Sequence, residues 1–248
     1  MAAPDIVTLL PKRARPCTHD GAHVSCENCS VRLNSVCSAL DDHEIAALER
    51  IAQPACFAAK ETLFLEGEDA EAAYTVTRGA ILLYRIFDDG RRQVIGFLLP
   101  GDFIAIDADK LHGYSADAIT PVTLCRFPCR EFTALLGKKP NLLQRLYDTA
   151  EHELSEARDH LMALGQRSAR EKLAWFLMHL RRRSARLDAA SDTVAIPMSR
   201  QEIADYLGLT IETVSRTLTA LAREKVIEIV QNGVKVKDAK KIERLAAA

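Results

Sequence analysis

The sequence predicts an α+β protein in three parts: an N-terminal β-roll of jelly-roll type, one long helix, and a C-terminal winged helix-turn-helix. Three observations predict it. Short β-branched and aromatic runs, separated by turn clusters, fill residues 56–127, the pattern of a small antiparallel barrel or jelly roll. Apolar residues step by three and four from Leu143 to Leu164, as on one face of a helix. From Ser199 to Arg216 two helical patterns flank Gly208, and Val226 to Val236 then alternates around Asn232-Gly233, a two-residue hairpin signal.

Bulk numbers narrow the function classes. A length of 248 residues suits two domains with a real core. With 48% hydrophobic and 27% charged residues the chain is globular, and no apolar run reaches a membrane span or a signal-peptide core. The expectation is a cytoplasmic protein with no membrane partner. The net charge is −1, which argues against indiscriminate binding of nucleic acid. Charge is divided unevenly, however: residues 198–248 carry nine Lys/Arg against seven Asp/Glu, so that part is +2 and the rest −3.

Residues 1–40 read as an irregular, Cys-rich segment. A basic stretch, Pro11 to Pro16, precedes Cys17, His19 and His23, and then Cys26, Cys29 and Cys37 crowd into twelve residues. Seven cysteines in a cytosolic chain are not expected to form a disulfide framework, and crowding of this kind asks for a metal. Cys56 and Cys129 read as buried or incidental thiols.

Residues 41–140 form the β-roll. A short helix from Asp41 to Ile51 turns Ile45 and Leu48 inward. The strand-like runs are Thr62–Leu65, Tyr74–Val76, Ile81–Phe87, Val94–Leu99 and Val122–Phe127. Their turns are Gly67-Glu68-Asp69, Asp88-Asp89-Gly90 and Pro100-Gly101-Asp102.

Residues 141–164 form the long helix. Leu143, Tyr147, Ala150, Leu154, Ala157, Leu161 and Leu164 hold an a/d seam for three heptads, as in a coiled coil. That reading makes the helix a dimer interface; the alternative is a helix packed on its own barrel. Asp148, Glu151, Glu153, Glu156 and Asp159 all lie off the seam, so nothing charged in it opposes association, and appreciable dimer is expected even without a metal.

Residues 165–248 form the winged helix-turn-helix. Gly165 is expected to end the long helix. A second helix starts at Ser168, with Glu171 as capping partner, and buries Leu173, Phe176, Leu177 and Leu180. A polar linker, Ser184–Asp192, follows. Ser199 caps the next helix with Glu202 three residues on, and Ile203, Ala204 and Leu207 face inward. Gly208 is the small residue at the turn. On the following helix Ile211, Val214, Leu218 and Leu221 share one face, and Glu212, Ser215, Arg216 and Thr219 the other. An exposed Arg one turn after a Glu suits major-groove readout, Arg toward guanine O6/N7 and Glu toward a cytosine amino group. The plain alternative is a helical hairpin with a surface Glu–Arg pair. Ser199, Arg200, Thr210, Ile211, Glu212, Thr213, Ser215 and Arg216 are the candidate DNA contacts.

The order of β-roll, long helix and winged helix-turn-helix resembles the CRP/FNR superfamily of bacterial transcription regulators across nearly the whole chain. The Glu-x-x-Ser-Arg pattern of Glu212, Ser215 and Arg216 looks like that of its FNR and FixK branches. The Cys-rich N-terminus and a lone cysteine late in the β-roll, Cys125 in Val122-Thr123-Leu124-Cys125-Arg126-Phe127-Pro128, resemble the oxygen-responsive FNR type. Gly101-Asp102-Phe103-Ile104 and Lys139-Pro140-Asn141-Leu142 also look familial. The resemblance implies a homodimer on a TTGAT-like inverted repeat of double-stranded DNA, contact with RNA polymerase, and a [4Fe–4S] cluster built at low oxygen and degraded by oxygen.

Cys26-x₂-Cys29-x₇-Cys37 offers three thiolates, and Cys125 becomes the fourth if the N-terminal segment folds back on the barrel. Four thiolates with no required histidine suit a [4Fe–4S] cluster. The third cysteine follows later than in the best-known version, and the longer loop costs little entropy. Cys17 is a candidate to replace one ligand. Three rivals stay open: a structural zinc site using His19 or His23, a metal-free thiol–disulfide switch, and a FixK-like regulator with no cluster. Cyclic nucleotide is not expected as a ligand. The corresponding stretch, Ile104 to Ala118, has no Arg and three acidic residues where a phosphate would want cations. No Gly-rich phosphate loop, Gly-x-Ser-x-Gly or His-Glu-x-x-His is present, so no enzyme is expected.

Overall fold

The computed structural model describes Cys17 and residues 25–105, 110–187 and 192–247. The stretch Pro11–Pro16, His19, His23, and Asp107 and Asp109 of the Ile104–Ala118 stretch lie outside those residues, as does part of the linker.

Three 3₁₀ turns, Cys26–Asn28, Arg32–Asn34 and Val36–Ala39, lead into α1 (Asp42–Glu49). Asp41 and Glu44 close a capping box at its start, and Ile45 and Leu48 are buried as their spacing requires. The β-roll follows in eight strands: β1 (Gln53–Phe57), β2 (Thr62–Phe64), β3 (Ala72–Arg78), β4 (Ile81–Ile86), β5 (Arg92–Leu98), β6 (Phe103–Ile104), β7 (Ser115–Ala118) and β8 (Val122–Pro128). They make two four-stranded antiparallel sheets, ordered β1-β8-β3-β6 and β2-β7-β4-β5.

Strands β1, β6 and β7 escape sequence reading for physical reasons. Pro54 in β1 is tolerated because this strand is a sheet edge, where a missing donor costs least. Strand β7, Ser-Ala-Asp-Ala, has little intrinsic strand preference and exists because β2 and β4 flank it, a case of context overriding propensity.

The first sheet has two chemically different faces. Its inner face, with Ala55, Phe57, Val76, Ile104, Val122 and Leu124, fills the roll. Ala73, Phe103, Phe127 and Cys125 point outward and pack with Val36, Cys37, Leu40, Phe132 and Leu142. The N-terminal cysteine segment therefore lies on the outside of the β1-β8-β3-β6 sheet.

After α2 (Cys129–Leu136) comes α3 (Pro140–Gln166). Gly165 does not end it. The site is open to solvent, with nothing within 4 Å of an added Cβ, and a glycine in an exposed last turn costs only about 1 kcal/mol. Helix α4 (Ala169–Leu187) starts at the Ser168–Glu171 box and buries Leu173, Phe176, Leu177 and Leu180. It runs three residues past Ser184, so the linker is shorter than its polar composition suggests.

The C-terminal part comprises β9 (Thr193–Ala195), α5 (Arg200–Leu207), α6 (Ile211–Arg223), β10 (Ile227–Val230), β11 (Gly233–Val236) and α7 (Ala239–Ala247). Val230 pairs with Gly233, so the hairpin loop is Gln231-Asn232, one residue earlier than expected. Asn232 takes the left-handed conformation, φ 58°, which Asn tolerates. Gly233 is needed for a different reason: a Cβ there would stand 2.4 Å from the Val194 carbonyl oxygen of β9. The wing is thus a three-stranded sheet, β10-β11-β9.

Candidate nucleic-acid interface and cysteine centre

The helix-turn-helix is built by two side-chain caps and one glycine. Ser199 accepts from the Glu202 amide, and Glu202 returns the bond to the Ser199 amide. Gly208 ends α5 with φ 61° and ψ 43°, a conformation that penalises any side chain with a Cβ. Thr210 then caps α6 by accepting from the Thr213 amide. Val214, Leu218 and Leu221 are buried. Ile211 is 38% exposed, contrary to its place on the expected inner face. It is the first residue of α6, beyond the reach of the core that covers the next turn.

On the outer face Glu212, Arg216 and Thr219 are exposed and Ser215 half-buried; Arg200 and Thr213 are half-buried and Thr210 exposed. The Glu212 backbone amide and the Thr210 hydroxyl, with Arg216 adding a smaller pull, hold the Glu212 carboxyl below the usual range, so it remains an acceptor. Ser215, Arg216, Thr219, Ala220 and Arg223 line a shallow concavity of about 400 Å³. Arg223 was missed by sequence reading, although its position two turns after Arg216 was the available signal.

Three elements hold the end of α5. Gln93 Nε2 of β5 donates to the Asp205 carbonyl at 2.8 Å, His160 Nε2 of α3 lies 2.9 Å from the Tyr206 carbonyl, and Lys172 Nζ of α4 donates to the Leu207 carbonyl at 3.3 Å. These are carbonyls a helix end leaves without partners. Their capture ties the reading head to roll, long helix and α4 together.

The long helix exposes its seam. Leu143 is 55% exposed, Tyr147 59%, Leu154 52% and Leu161 68%; Ala150 and Ala157 are exposed and Leu164 half-buried. The seam is not packed on its own barrel. Such an apolar stripe on one chain fits a self-complementary partner.

At the other end, Cys26 and Cys125 pack against the core that contains buried Cys37. Burial, followed by the charges Cys37, Glu49 and Cys29 would carry, pushes the Cys26 thiol up to about 11. Burial, then Cys37, Cys29 and Cys26, pushes Cys125 up to about 12. Burial also raises Cys37. Cys26, Cys29 and Cys37 are thus near enough to oppose ionisation of Cys125, and Cys29 and Cys37 that of Cys26. Among the described residues no group of three or more His, Cys, Asp or Glu is disposed to hold a single metal ion. Opposite Cys125 on β3, Thr75 is 1% exposed, and its Oγ1 has no hydrogen-bond partner.

Two expectations need correction. Cys17 is joined to Cys56 by a disulfide, with Cα atoms 5.3 Å apart, so in this form it is not free to replace a ligand. Cys56 is correspondingly not an incidental thiol: β1 pairs it with Thr123 on the outer face of the sheet. Cys26, Cys29, Cys37, Cys125 and Cys129 are free.

Two family models match: the Crp-like helix-turn-helix domain over residues 171–245 and the cyclic nucleotide-binding domain over residues 55–139. The chain is 47% identical over 223 residues to the nitrogen fixation regulation protein FixK of Bradyrhizobium diazoefficiens, covering 90% of this chain and 94% of that one. The chain belongs to the CRP/FNR family of transcription regulators. It is also 36% identical over 208 residues to the transcriptional activator protein FnrL of Cereibacter sphaeroides, covering 82% of this chain and 84% of that one. The structure of FixK2 from Bradyrhizobium japonicum superposes with a TM-score of 0.74 at 32% identity, covering 80% of this chain and 98% of that one. CRP/FNR membership makes the protein a DNA-binding transcription regulator that acts as a dimer. No described helix is long and apolar enough to cross a membrane.

Proposed function

We propose that the protein is an oxygen-responsive transcription activator that binds a TTGAT-like inverted repeat as a homodimer and holds a [4Fe–4S] cluster through Cys26, Cys29, Cys37 and Cys125. One observation carries the reading: Cys26 and Cys37 of the N-terminal segment pack around one core with Cys125 of β8, and Cys29 is near enough to oppose ionisation of Cys125. Their donor chemistry fits. Cys26, Cys37 and Cys125, whose thiols burial pushes up, ionise readily only against a compensating cation, and iron in a cluster supplies that charge and, on meeting oxygen, a redox change. The activator reading draws on the names of relatives such as FnrL. RNA polymerase is the expected partner at the promoter, and a cyclic nucleotide is not an expected ligand.

The chain's own residues give the cysteine segment two routes to the DNA-reading end. Cys37 shares its core with Leu142 at the start of α3, so holding the segment holds the entry of the dimer helix. The Asn34 carbonyl packs against Gly101, where a Cβ would stand 3.1 Å from it. The next residue, Asp102, forms an ion pair with Arg183 of α4, and Arg183 also donates to the Phe97 carbonyl at 3.0 Å. An ordered segment thereby favours one disposition of α3 and α4, and a dimer whose two α6 helices enter grooves roughly 34 Å apart.

Iron and sulfide analysis of protein purified without oxygen tests the reading. About four of each per chain, with broad visible absorption that bleaches in air, is expected. Colourless, iron-free protein that still binds the operator overturns it and leaves a FixK-like regulator without a cluster, which the 47% identity to FixK also fits. Zinc in the same analysis would point to the structural zinc site instead.

A further inference from the structure

Strands β3 and β8 pair so that Thr75 lies directly opposite Cys125. Directly opposed residues of an antiparallel pair leave the sheet on the same side. The neighbouring pair, Ala73 and Phe127, shows which side this is, because both pack in the core that contains Cys37. Phe103, opposite Thr75 on β6, packs there too. The Thr75 side chain therefore stands between Cys125 and Phe103, beneath the N-terminal cysteine segment, and is 1% exposed.

Nearby threonines of this sheet satisfy their hydroxyls. Thr77 donates to the Thr123 carbonyl at 2.9 Å. Thr123 itself is opposed to Cys56, and their side chains meet with Sγ and Oγ1 3.8 Å apart. An opposed Thr–Cys pair on this sheet thus already brings hydroxyl to sulfur. Thr75 alone of these three has no partner for Oγ1. A buried hydroxyl kept without an acceptor weakens the fold.

We propose that Thr75 is the hydrogen-bond donor of the cysteine centre, its Oγ1–H held for the Cys125 sulfur when that sulfur is a ligand thiolate. The inference rests on the cluster reading above. As a donor, Thr75 draws charge from the sulfur, which favours the more electron-rich state and resists oxidation; hydrogen bonds to ligand sulfurs set both potential and lability.

The test compares full-length parent, Thr75→Val and Thr75→Ser, all purified without oxygen. Valine keeps the branched shape and removes the hydroxyl. The expected result is that the valine form binds iron and sulfide but loses its visible absorption in air several-fold faster, with a more negative reduction potential. The serine form returns both readouts toward the parent. In the metal-free proteins the order reverses: the valine form melts at a higher temperature than the parent, because its orphan hydroxyl is gone. If the valine form loads, bleaches and reduces as the parent does, the inference fails while the cluster stands. If the parent loads iron and neither variant does, the intact threonine is needed to assemble the site rather than its hydroxyl to tune the loaded sulfur, and the inference is overturned. An iron-free parent overturns the cluster reading itself, and the inference falls with it.

Discussion

Leu154 lies at the middle of the exposed seam of α3 and is 52% exposed in the single chain. Fully burying a leucine side chain is worth roughly 1.5–3 kcal/mol. Covering the remaining half in a dimer is therefore worth about 1 kcal/mol per copy by the same scale. A two-fold interface presents the residue twice, so Leu154→Ala removes about 2 kcal/mol from association, or roughly 30-fold in the dimer Kd at 1.4 kcal/mol per tenfold. Alanine has the best helix propensity, and Leu154 is not part of a buried cluster among the described residues, so the monomer should remain folded. Sedimentation equilibrium over a concentration series, with circular dichroism to confirm helix content, reads the effect. An unchanged Kd would show that the seam is not where two copies meet, and the dimer geometry derived from it would have to be abandoned.

Three further outcomes are expected. Arg216→Ala should cost roughly 1–3 kcal/mol per half-site and relax the choice of one base pair; anisotropy with cognate and substituted operators measures it, and equal affinity for both proteins rules out the base-reading role. His179, stacked on Trp175 at 5.5 Å, is pushed down to about 4, first by burial and then by Arg183, Arg182 and His152 against the opposing pull of Glu156. Its folded value lies below its unfolded one near 6.5, so the unfolded chain binds the extra proton, and this part of the stability is present above about pH 6.5 and lost as pH falls toward 4. Urea titrations across that window should show a smaller loss for His179→Gln than for the parent; parallel curves would refute the assignment. Finally, alkylation of air-exposed, denatured protein should find five free thiols of seven, and Cys56→Ser should release Cys17 while leaving iron loading intact. Loss of iron in that variant would mean that the tether, not the four cysteines alone, is required.

Elements that depend on local chemistry were readable in advance. The caps at Ser168 and Ser199 each pair a serine side chain with the amide three residues on, and Gly208 occupies a conformation glycine adopts cheaply. The seam and the buried face of α6 follow from helical periodicity, with Ile211 departing because the core stops one turn short of it. Strands β1, β6 and β7 were not readable, since β1 and β6 are edges held by β8 and β3, and β7 is extended only because it pairs with β2 and β4.

The chain's local patterns were enough to set the order of parts and to put Glu212, Ser215, Arg216 and Thr219 on the outer face of α6, because helix periodicity, capping and turn chemistry act over a few positions. Tertiary structure alone decided which cysteines share a face, that Cys17 bonds Cys56, that Thr75 stands opposite Cys125, and that Gly233 must lack a side chain beneath Val194. Those facts depend on sheet register and on how a distant segment lies across it, and register is settled by burial across the whole roll rather than by neighbours in the chain.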